Sequence, residues 1–190
     1  MAQWEAGSDA AERDQSPAIR ALIVALDNQD RLARIEARLL LVRIGKPAVP
    51  FLTGALRSPN KRMRWEAAKA LAEIADPAAA PALVLALEDE DAGVRWLAAQ
   101  GLIAIGRLGL EPLLGSLIGS DTSVWRREGA HHVLHDLARG EIHDCLAPVL
   151  AALEGIHPAS QVPPAALAAL SDLQALDRLQ AGSHPSSKAL

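Results

Sequence analysis

Residues 94–106 of the chain read VRWLAAQGLIAIG, and other versions of this stretch occur elsewhere in the sequence. Residues 63–75 read MRWEAAKALAEIA and residues 33–45 read ARIEARLLLVRIG, while a weaker copy, WRREGAHHVL, begins at residue 125. Successive copies therefore begin about 31 residues apart, within the range of periods typical of solenoids. The sequence predicts an array of repeats, in which each repeat buries its apolar face against its neighbours.

Each repeat is predicted to form two helices, because half of the residues are apolar while Tyr is absent and Phe occurs once. In the third repeat, Val94, Ala98, Leu102 and Ile105 recur at helical spacing, and we assign this face to the core. The predicted first helices are residues 17–27, 47–57, 77–88 and 109–119. The predicted second helices are residues 30–44, 60–75, 91–105 and 122–138.

The start of each second helix supports the same alignment of the repeats. A residue that favours the N-cap position stands four residues before the repeated arginine in every copy. These N-cap residues are Asp30, Asn60, Asp91 and Thr122. The alignment therefore makes Arg126 the repeated arginine of the fourth copy.

The period breaks after residue 139, and we expect a divergent fifth hairpin there. Its helices are predicted at residues 142–154 and 163–179, with a loop at residues 155–162. The sequence thus predicts a single repeat domain, residues 16–180, between a disordered arm (residues 1–15) and a disordered tail (residues 181–190). The expected repeats are residues 17–45, 46–75, 76–106, 107–139 and 140–180.

The composition argues against several classes of protein. The formal net charge of −4 argues against a protein built mainly to hold nucleic acid. The single cysteine, Cys145, excludes an internal disulfide framework and fits a reducing compartment. No apolar run reaches the roughly 18 residues of a transmembrane helix, and the first 15 residues lack a signal-peptide layout. We therefore predict a cytoplasmic protein.

Three sequence features point to a known type of repeat. They are Asp-x-x-x-Arg at residues 91–95, Glu-Ala-Ala-x-Ala-Leu at residues 66–71 and Ile-Gly at residues 105–106. In these features the chain resembles HEAT-like repeat proteins of the short bacterial type, which is also found in phycobilisome lyase subunits. The resemblance implies an all-α fold, a right-handed α-solenoid of about five HEAT-like helical hairpins.

The resemblance also assigns places to particular residues. It implies that the second helices line a concave face, and that repeated polar residues tie neighbouring repeats together. Those polar residues are Asp30, Asn60, Asp91, Arg34, Arg64, Arg95 and Arg126. Many unrelated functions use this kind of fold, so the resemblance alone names no activity.

The face of each second helix opposite the core would line the concave groove. Its apolar centre and charged flanks are an arrangement that suits a peptide or helix, although Leu97 could instead pack on a neighbouring helix. Trp65 and Trp96 share one repeat position. They could be binding anchors in the groove, or they could pack between successive repeats. The predicted partner-binding residues are Glu36, Leu40, Arg43, Glu66, Lys69, Glu73, Leu97, Gly101, Glu128, His132 and His135.

A histidine cluster is the sharpest chemical signal in the sequence. His131 and His135 are four residues apart on one helical face and could share a metal, with His143 as a third ligand. The alternative is that these histidines are ordinary solvated residues, since other repeats place Lys, Gln, Glu or Ala there. No His-Glu dipeptide occurs, so the di-iron hydroxylase activity of some HEAT-like proteins is not implied.

The sequence therefore predicts a non-catalytic scaffold or adaptor that binds a protein or peptide partner on its concave face. One alternative is a phycobilisome-lyase-like or chaperone-like accessory that acts on another protein. A second is a metal-dependent enzyme that uses His131, His132 and His135. No cofactor or small-molecule substrate is predicted, because no phosphate-binding glycine loop or nucleophile motif occurs. Residues 57–64 are locally basic, but glutamates such as Glu66 and Glu128 would repel nucleic-acid phosphates.

Overall fold

The computed structural model describes residues 16–119 and 122–182, and every regular element in these ranges is helical. The described residues fall into two compact units, one ending at Gly109 and the other starting at Leu110. The first unit contains α1 (Ser16–Ala25), α2 (Arg31–Ile44), α3 (Val49–Ala55), α4 (Lys61–Ile74), α5 (Ala80–Ala86) and α6 (Ala92–Ile105). The second unit contains α7 (Leu110–Leu117), α8 (Val124–Leu137), α9 (His143–Glu154) and α10 (Pro158–Gly182).

Helical hairpins form the first unit as predicted, but their first helices are shorter than expected. A 3-10 turn leads into α3 and another leads into α5, where the sequence predicted continuous helices. Pro50 and Pro81 stand in the first turn of these helices, where their missing N–H groups leave no intrahelical hydrogen bond unmade. The predicted arm, residues 1–15, and residues 183–190 of the predicted tail lie outside the described residues. The assignment of residues 16–180 to one domain stays a prediction.

The predicted N-caps of α2, α4 and α6 are confirmed. In each case the side-chain oxygen accepts a hydrogen bond from the backbone N–H two residues later. The distances are 3.0 Å at Asp30, 2.9 Å at Asn60 and 2.9 Å at Asp91. Each helix ends at a residue with positive φ, which is glycine after α2 and α6 but Ala75 after α4.

The apolar stripe of the second helices forms the core of the first unit. Leu41, Leu71 and Leu102 occupy one repeat position and are fully buried, and the alanine four residues before each is buried too. Their equivalents in α8 are Ala130 and Leu134. The predicted core therefore holds along the centre of α2, α4 and α6.

The second helix of the fourth repeat, α8, begins one residue later than the alignment of the copies predicted. Ser123, not Thr122, caps α8. Arg127 Nη1 donates to the carbonyl of Thr122, just as Arg64 Nη1 donates to the carbonyl before its own cap residue, Asn60. The repeated arginine is thus Arg127, and the assignment of Arg126 was wrong. Two consecutive arginines made the sequence alignment ambiguous by one residue.

This shift also changes the residues expected in the core of α8. Ala130 rather than Gly129 is the buried small residue. In the alignment of the copies Trp125 stands where the third repeat has the core residue Val94, but it is 45% exposed. Leu137, near the end of α8, is only half-buried.

The last hairpin has a shorter loop than the sequence predicted. α10 begins at Pro158, so residues 158–162 are helical rather than part of the loop. Val162, Ala166, Ala169 and Leu173 are buried along one face of α10, which packs on α9 and α7. This spacing of four, three and four residues is the period of an amphipathic helix.

One stretch of the described chain, Ala92–Leu117, is long and apolar enough to match a membrane span by composition. Half of it is buried inside the protein, and α6 ends within it at Ile105. Buried helices inside proteins can have the same length and composition, and burial in the repeat core accounts for the apolar composition of this stretch.

Candidate partner-binding surface

The structure divides the predicted partner-binding residues of the first unit into an accessible group and a buried group. The accessible residues of α2, α4 and α6 form a face that we call the second-helix surface: Glu36, Leu40, Arg43, Lys69, Glu73, Trp96 and Leu97. Gly101 is buried, because a Cβ there would lie 2.8 Å from Leu83 Cδ1 and 3.5 Å from Ala72 Cα. Glu66 is only 5% exposed. Gly101 therefore offers no accessible surface, contrary to the prediction, and Glu66 is accessible only at the wall of a cleft between α2 and α4.

Glu66 belongs instead to a buried ion-pair network between α2 and α4. Arg38 Nε donates to Glu66 Oε2 at 3.1 Å, and Arg38 Nη1 also binds the Glu73 carboxylate. Arg34 Nε lies 3.5 Å from Glu66 Oε1. The two glutamates thus offset the charge of arginines from the preceding repeat. The expectation that they would repel an anionic ligand overlooked this pairing.

Arg64 makes the corresponding connection to the next repeat. Its Nε and Nη2 donate to the two oxygens of Asp89 at 2.7 and 3.0 Å, and Nη2 also donates to Glu90 at 2.8 Å. The hydrogen bonds to Asp89 raise the pKa of Arg64 above its already high ordinary value, so the residue stays charged. Lys61 likewise pairs with Asp91 at 3.3 Å. Arg34, Arg64 and Asp91 therefore tie neighbouring repeats together, as the resemblance implied.

A basic cleft of about 490 Å³ lies between the N-terminal halves of α2 and α4, and we call it the α2–α4 cleft. Six cationic side chains line it: Arg31, Arg34, Arg38, Lys61, Arg62 and Lys69. The remaining lining residues are Ile35, Trp65, Glu66 and Asp91. The cleft therefore has an excess of four positive charges, although the whole chain has a formal net charge of −4.

The two tryptophans at the shared repeat position have different surroundings. Trp65 is half-buried and lies over the first turn of α6, since a Cβ on Gly93 would be 3.2 Å from Trp65 Cδ1 and Nε1. The Lys69 ammonium is 5.1 Å from the centre of its ring, within cation–π range. Trp96 is 56% exposed. Trp65 thus packs between repeats, whereas more than half of the Trp96 side chain is accessible.

The predicted histidine cluster lies in the second unit and makes contacts of its own. His131 Nε2 is 2.7 Å from Glu154 Oε1, which joins α8 to α9, and the His131 ring stacks on His135 with centroids 6.1 Å apart. His143 Nδ1 is 3.2 Å from its neighbour Asp144. Among the described residues, no three His, Cys, Asp or Glu side chains are grouped closely enough to hold a metal.

The other predicted residues of α8 have different surroundings, and only Glu128 lines a second cleft. Glu128 is exposed and, with His131 and Glu154, lines a cleft of about 450 Å³ in the second unit. His135 is exposed and His132 is half-buried. Both acidic and basic side chains line this cleft, so it lacks the charge excess of the α2–α4 cleft.

Comparison with known families identifies the type of repeat. The family model for HEAT repeats matches residues 19–103 and again residues 49–135, together more than half of the chain. The chain belongs to the HEAT repeat family. The second match begins one repeat after the first, in agreement with the period of the sequence.

One solved structure supports the same HEAT-repeat architecture. A chain from the complex of CpcE and CpcF of phycocyanin lyase from Nostoc is similar, with 29% identity and a TM-score of 0.53. That similarity covers 84% of this chain and 99% of the Nostoc chain. An engineered protein is similar at 22% identity with a TM-score of 0.44, over 87% of this chain and 84% of its own. No curated protein sequence matches the chain. The resemblance to phycobilisome lyase subunits and the all-α HEAT-repeat fold are confirmed.

The α2–α4 cleft of this HEAT-repeat chain was missed by sequence reasoning, although one signal was available. The first turns of α2 and α4 contain cations, Arg31 in one and Lys61 and Arg62 in the other, and no acidic residue. A helix N-terminus carries partial positive charge and favours acidic side chains. Cations at two successive N-termini, one repeat apart, therefore indicate a role other than helix stability.

Proposed function

We propose that this HEAT-repeat chain is a non-catalytic scaffold that binds a protein or peptide partner on the second-helix surface of its first unit. The observation that carries the proposal is the exposure of Trp96, which is 56% accessible on α6. Tryptophan and arginine are the side chains most often found as anchors in protein interfaces. Trp96 shares its repeat position with Ile35 and Trp65, which line the α2–α4 cleft. The proposal places the protein in the cytoplasm and needs neither a cofactor nor a small-molecule substrate.

Two further observations support a protein partner. Stacked helical repeats present a long and regular surface, which suits an extended segment or a helix. The similar Nostoc chain is part of a complex of two proteins, CpcE and CpcF. By analogy, a second protein chain is the kind of partner that we propose for this surface.

Affinity capture with a matched pair of variants tests this proposal. The full chain, its Trp96→Ala variant and its Leu85→Ala variant would each be tagged and recovered from native cells, and bound proteins quantified by mass spectrometry. Leu85 is 57% exposed on α5, outside the second-helix surface, and therefore controls for loss of an exposed apolar side chain. We expect Trp96→Ala to lower capture of a specific partner at least about tenfold, and Leu85→Ala to leave it unchanged.

Equal recovery of partners by the two variants would contradict the proposal. Circular dichroism of each variant shows whether the helical fold is intact. If Trp96→Ala loses helical signal, Trp96→Phe keeps an aromatic ring and separates lost contact from lost fold.

A lyase-like accessory is the second candidate. It is favoured by the 29% identity to the phycocyanin lyase chain, 99% of which is covered. We propose for this candidate that the chain acts on another protein together with a partner chain. The test is to mix the protein with a bilin chromophore and with phycocyanin that lacks it, and then to record absorption spectra. A shifted, protein-bound absorption band would favour this candidate, whereas spectra equal to the sum of the components would exclude it.

A further inference from the structure

We propose that the α2–α4 cleft binds an acidic peptide segment, with carboxylates on both sides of an apolar side chain. This inference rests on the proposed function, because it names the chemistry of a partner for the same face of the first unit. Four kinds of observation support it: cations without an acidic partner, cations at helix N-termini, an apolar wall and the limited size of the cleft.

Half of the cleft's cations have no acidic partner within the described chain. Arg34 and Arg38 share Glu66, and Lys61 pairs with Asp91. By contrast, none of the described carboxylates lies within ion-pair distance of three other cations. These cations are Arg31, Arg62 and Lys69. Carboxylates of a bound segment would meet charges that are not already neutralised, which favours association.

Three of the cations that line the cleft stand at helix N-termini, where they stabilise the helices less than acidic residues would. Arg31 and Lys61 are the first residues of α2 and α4, and Arg62 is the second residue of α4. Each faces the positive end of its own helix dipole, where an acidic residue would stabilise the helix. Departures from locally favourable sequence are concentrated at functional sites. An anion bound in the cleft would offset both the side-chain charges and the two dipoles.

The apolar wall and the size of the cleft favour a peptide over other anions. Ile35 and Trp65 line the cleft beside the cations, and the Lys69 ammonium stacks on the Trp65 ring. Phosphate alone would leave this wall unused, whereas a peptide can contribute an apolar side chain between its carboxylates. The basic area is confined to a cleft of about 490 Å³, while nucleic acid requires a charged track along several phosphates.

The probe for the test is a short fluorescein-labelled peptide of Asp and Glu residues around one Leu, titrated with the full chain and followed by fluorescence anisotropy. The test variant is Arg31→Glu/Arg62→Glu. Its matched control, Lys46→Glu/Arg57→Glu, changes the net charge equally at two exposed cations outside the cleft. We expect the test variant to lower peptide affinity at least about tenfold, and the control to keep it within about twofold. Binding to the unchanged protein should weaken as salt is added.

Thermal unfolding separates a binding role from a structural role. Glutamate at a helix N-terminus interacts favourably with the dipole, so the test variant should unfold at an equal or higher temperature than the unchanged protein. Loss of peptide binding together with loss of folded structure would not support the proposal. In that event Arg31→Gln/Arg62→Gln, which removes the charges without reversing them, decides it: a folded variant that binds normally overturns the proposal.

Several outcomes would overturn the inference. One is absence of peptide binding, and another is equal weakening by the control variant. Inorganic phosphate that displaces the peptide at matched ionic strength, where chloride does not, would identify a phosphate site instead. Concentration-dependent dimers in sedimentation, abolished by the test variant, would identify a second copy of the chain as the occupant. A native partner whose capture depends on Trp96 but not on Arg31 and Arg62 would leave the proposed function standing and refute only this inference.

Discussion

The seam between α2 and α4 and the seam between α4 and α6 join equivalent helices of successive repeats by different means. Buried charges hold the first seam, where Arg38 and Glu66 are 7% and 5% exposed. At the second seam α4 has Ala68, which is fully buried, at the repeat position of Arg38. The ion pairs of Lys61 and Arg64 lie near the first turns of α4 and α6 instead. The comparison shows the effect of one large charged residue, Arg38, in place of alanine. Charged side chains fill the first seam where small side chains fill the second.

The same difference explains where the basic cleft is found in the first unit. Small residues let helices approach closely, as at Gly101 of α6, where a Cβ would come within 3.5 Å of Ala72 Cα in α4. The long side chains of the first seam leave a cleft of about 490 Å³ instead. Burial of charged groups costs desolvation free energy, so the first seam is the less favourable one to assemble. It is also the seam whose charged side chains line a cleft.

The largest expected effect is the loss of Arg38. In Arg38→Met, Glu66 would keep only the longer contact with Arg34 inside a buried seam. An uncompensated buried charge is strongly destabilising, so we expect the free energy of unfolding to fall by about 3 kcal/mol. Urea unfolding followed by circular dichroism measures this change.

A second substitution separates the buried charge from lost packing. Arg38→Met combined with Glu66→Leu should recover most of the lost stability, because an apolar pair can replace a buried ion pair at little net cost. Failure of the double variant to recover would show that Arg38 stabilises the seam by its packing. A loss below about 1 kcal/mol in the single variant would place this seam among weakly coupled surface pairs.

The next largest effect is expected at Gly101 in the small-residue seam. Leucine there has no room, since Leu83 is fully buried and Ala72 Cα is 3.5 Å from the position of the new Cβ. We expect Gly101→Leu to lower the free energy of unfolding by about 2 kcal/mol, the usual range for overpacking. The control is Gly54→Leu in α3, where a Cβ meets nothing within 4 Å. Leucine favours a helix more than glycine does, so this control should be as stable as the unchanged protein or more stable. Equal destabilisation by the two variants would show that lack of space at Gly101 is not the cause.

The two seams also differ in how well the sequence predicted them. Apolar periodicity identified the buried leucines and alanines, because helical spacing fixes which residues share a face. It assigned Glu66 and Gly101 to an open groove, because both lie opposite the core stripe of their own helices. Whether such a face is buried depends on what packs against it. For Glu66 this is Arg38 of the preceding repeat, and for Gly101 it is Leu83 of the same repeat together with Ala72 of the preceding one. Pairings of this kind depend on the rise and rotation between repeats, which single-sequence periodicity does not contain.

A smaller effect is expected at Asp91, which caps α6 and pairs with Lys61 across the second seam. Burial raises the pKa of this carboxyl, but hydrogen bonds from Val94, Lys61 and Gly93 together lower it below its ordinary value. A lowered folded-state pKa stabilises the fold above the unfolded pKa, and that contribution is lost as pH falls through the folded-state pKa. Asp91→Asn keeps a good N-cap and removes only the charge.

The expected result for Asp91→Asn is a loss of about 0.5 kcal/mol at pH 7, the usual size of one acidic residue at a helix N-terminus. At a pH below the folded-state pKa, the variant and the unchanged protein should be equally stable. Urea unfolding at several pH values measures both quantities. A difference that persists unchanged in acid would show that asparagine caps this helix poorly and that charge is not the cause.

The smallest effect is expected for the pair of His131 and Glu154, which joins α8 to α9 in the second unit. Like the pair of Arg38 and Glu66, it links two helices through one short contact, here 2.7 Å, but its side chains are 35% and 66% exposed. Water solvates both partners when the contact is broken, so His131→Ala, Glu154→Ala and the double variant should give a coupling energy below about 0.5 kcal/mol. A coupling above about 1.5 kcal/mol would mean that burial does not explain the contrast between the two pairs. The distance between the charged atoms would then be the better predictor of their contribution to stability.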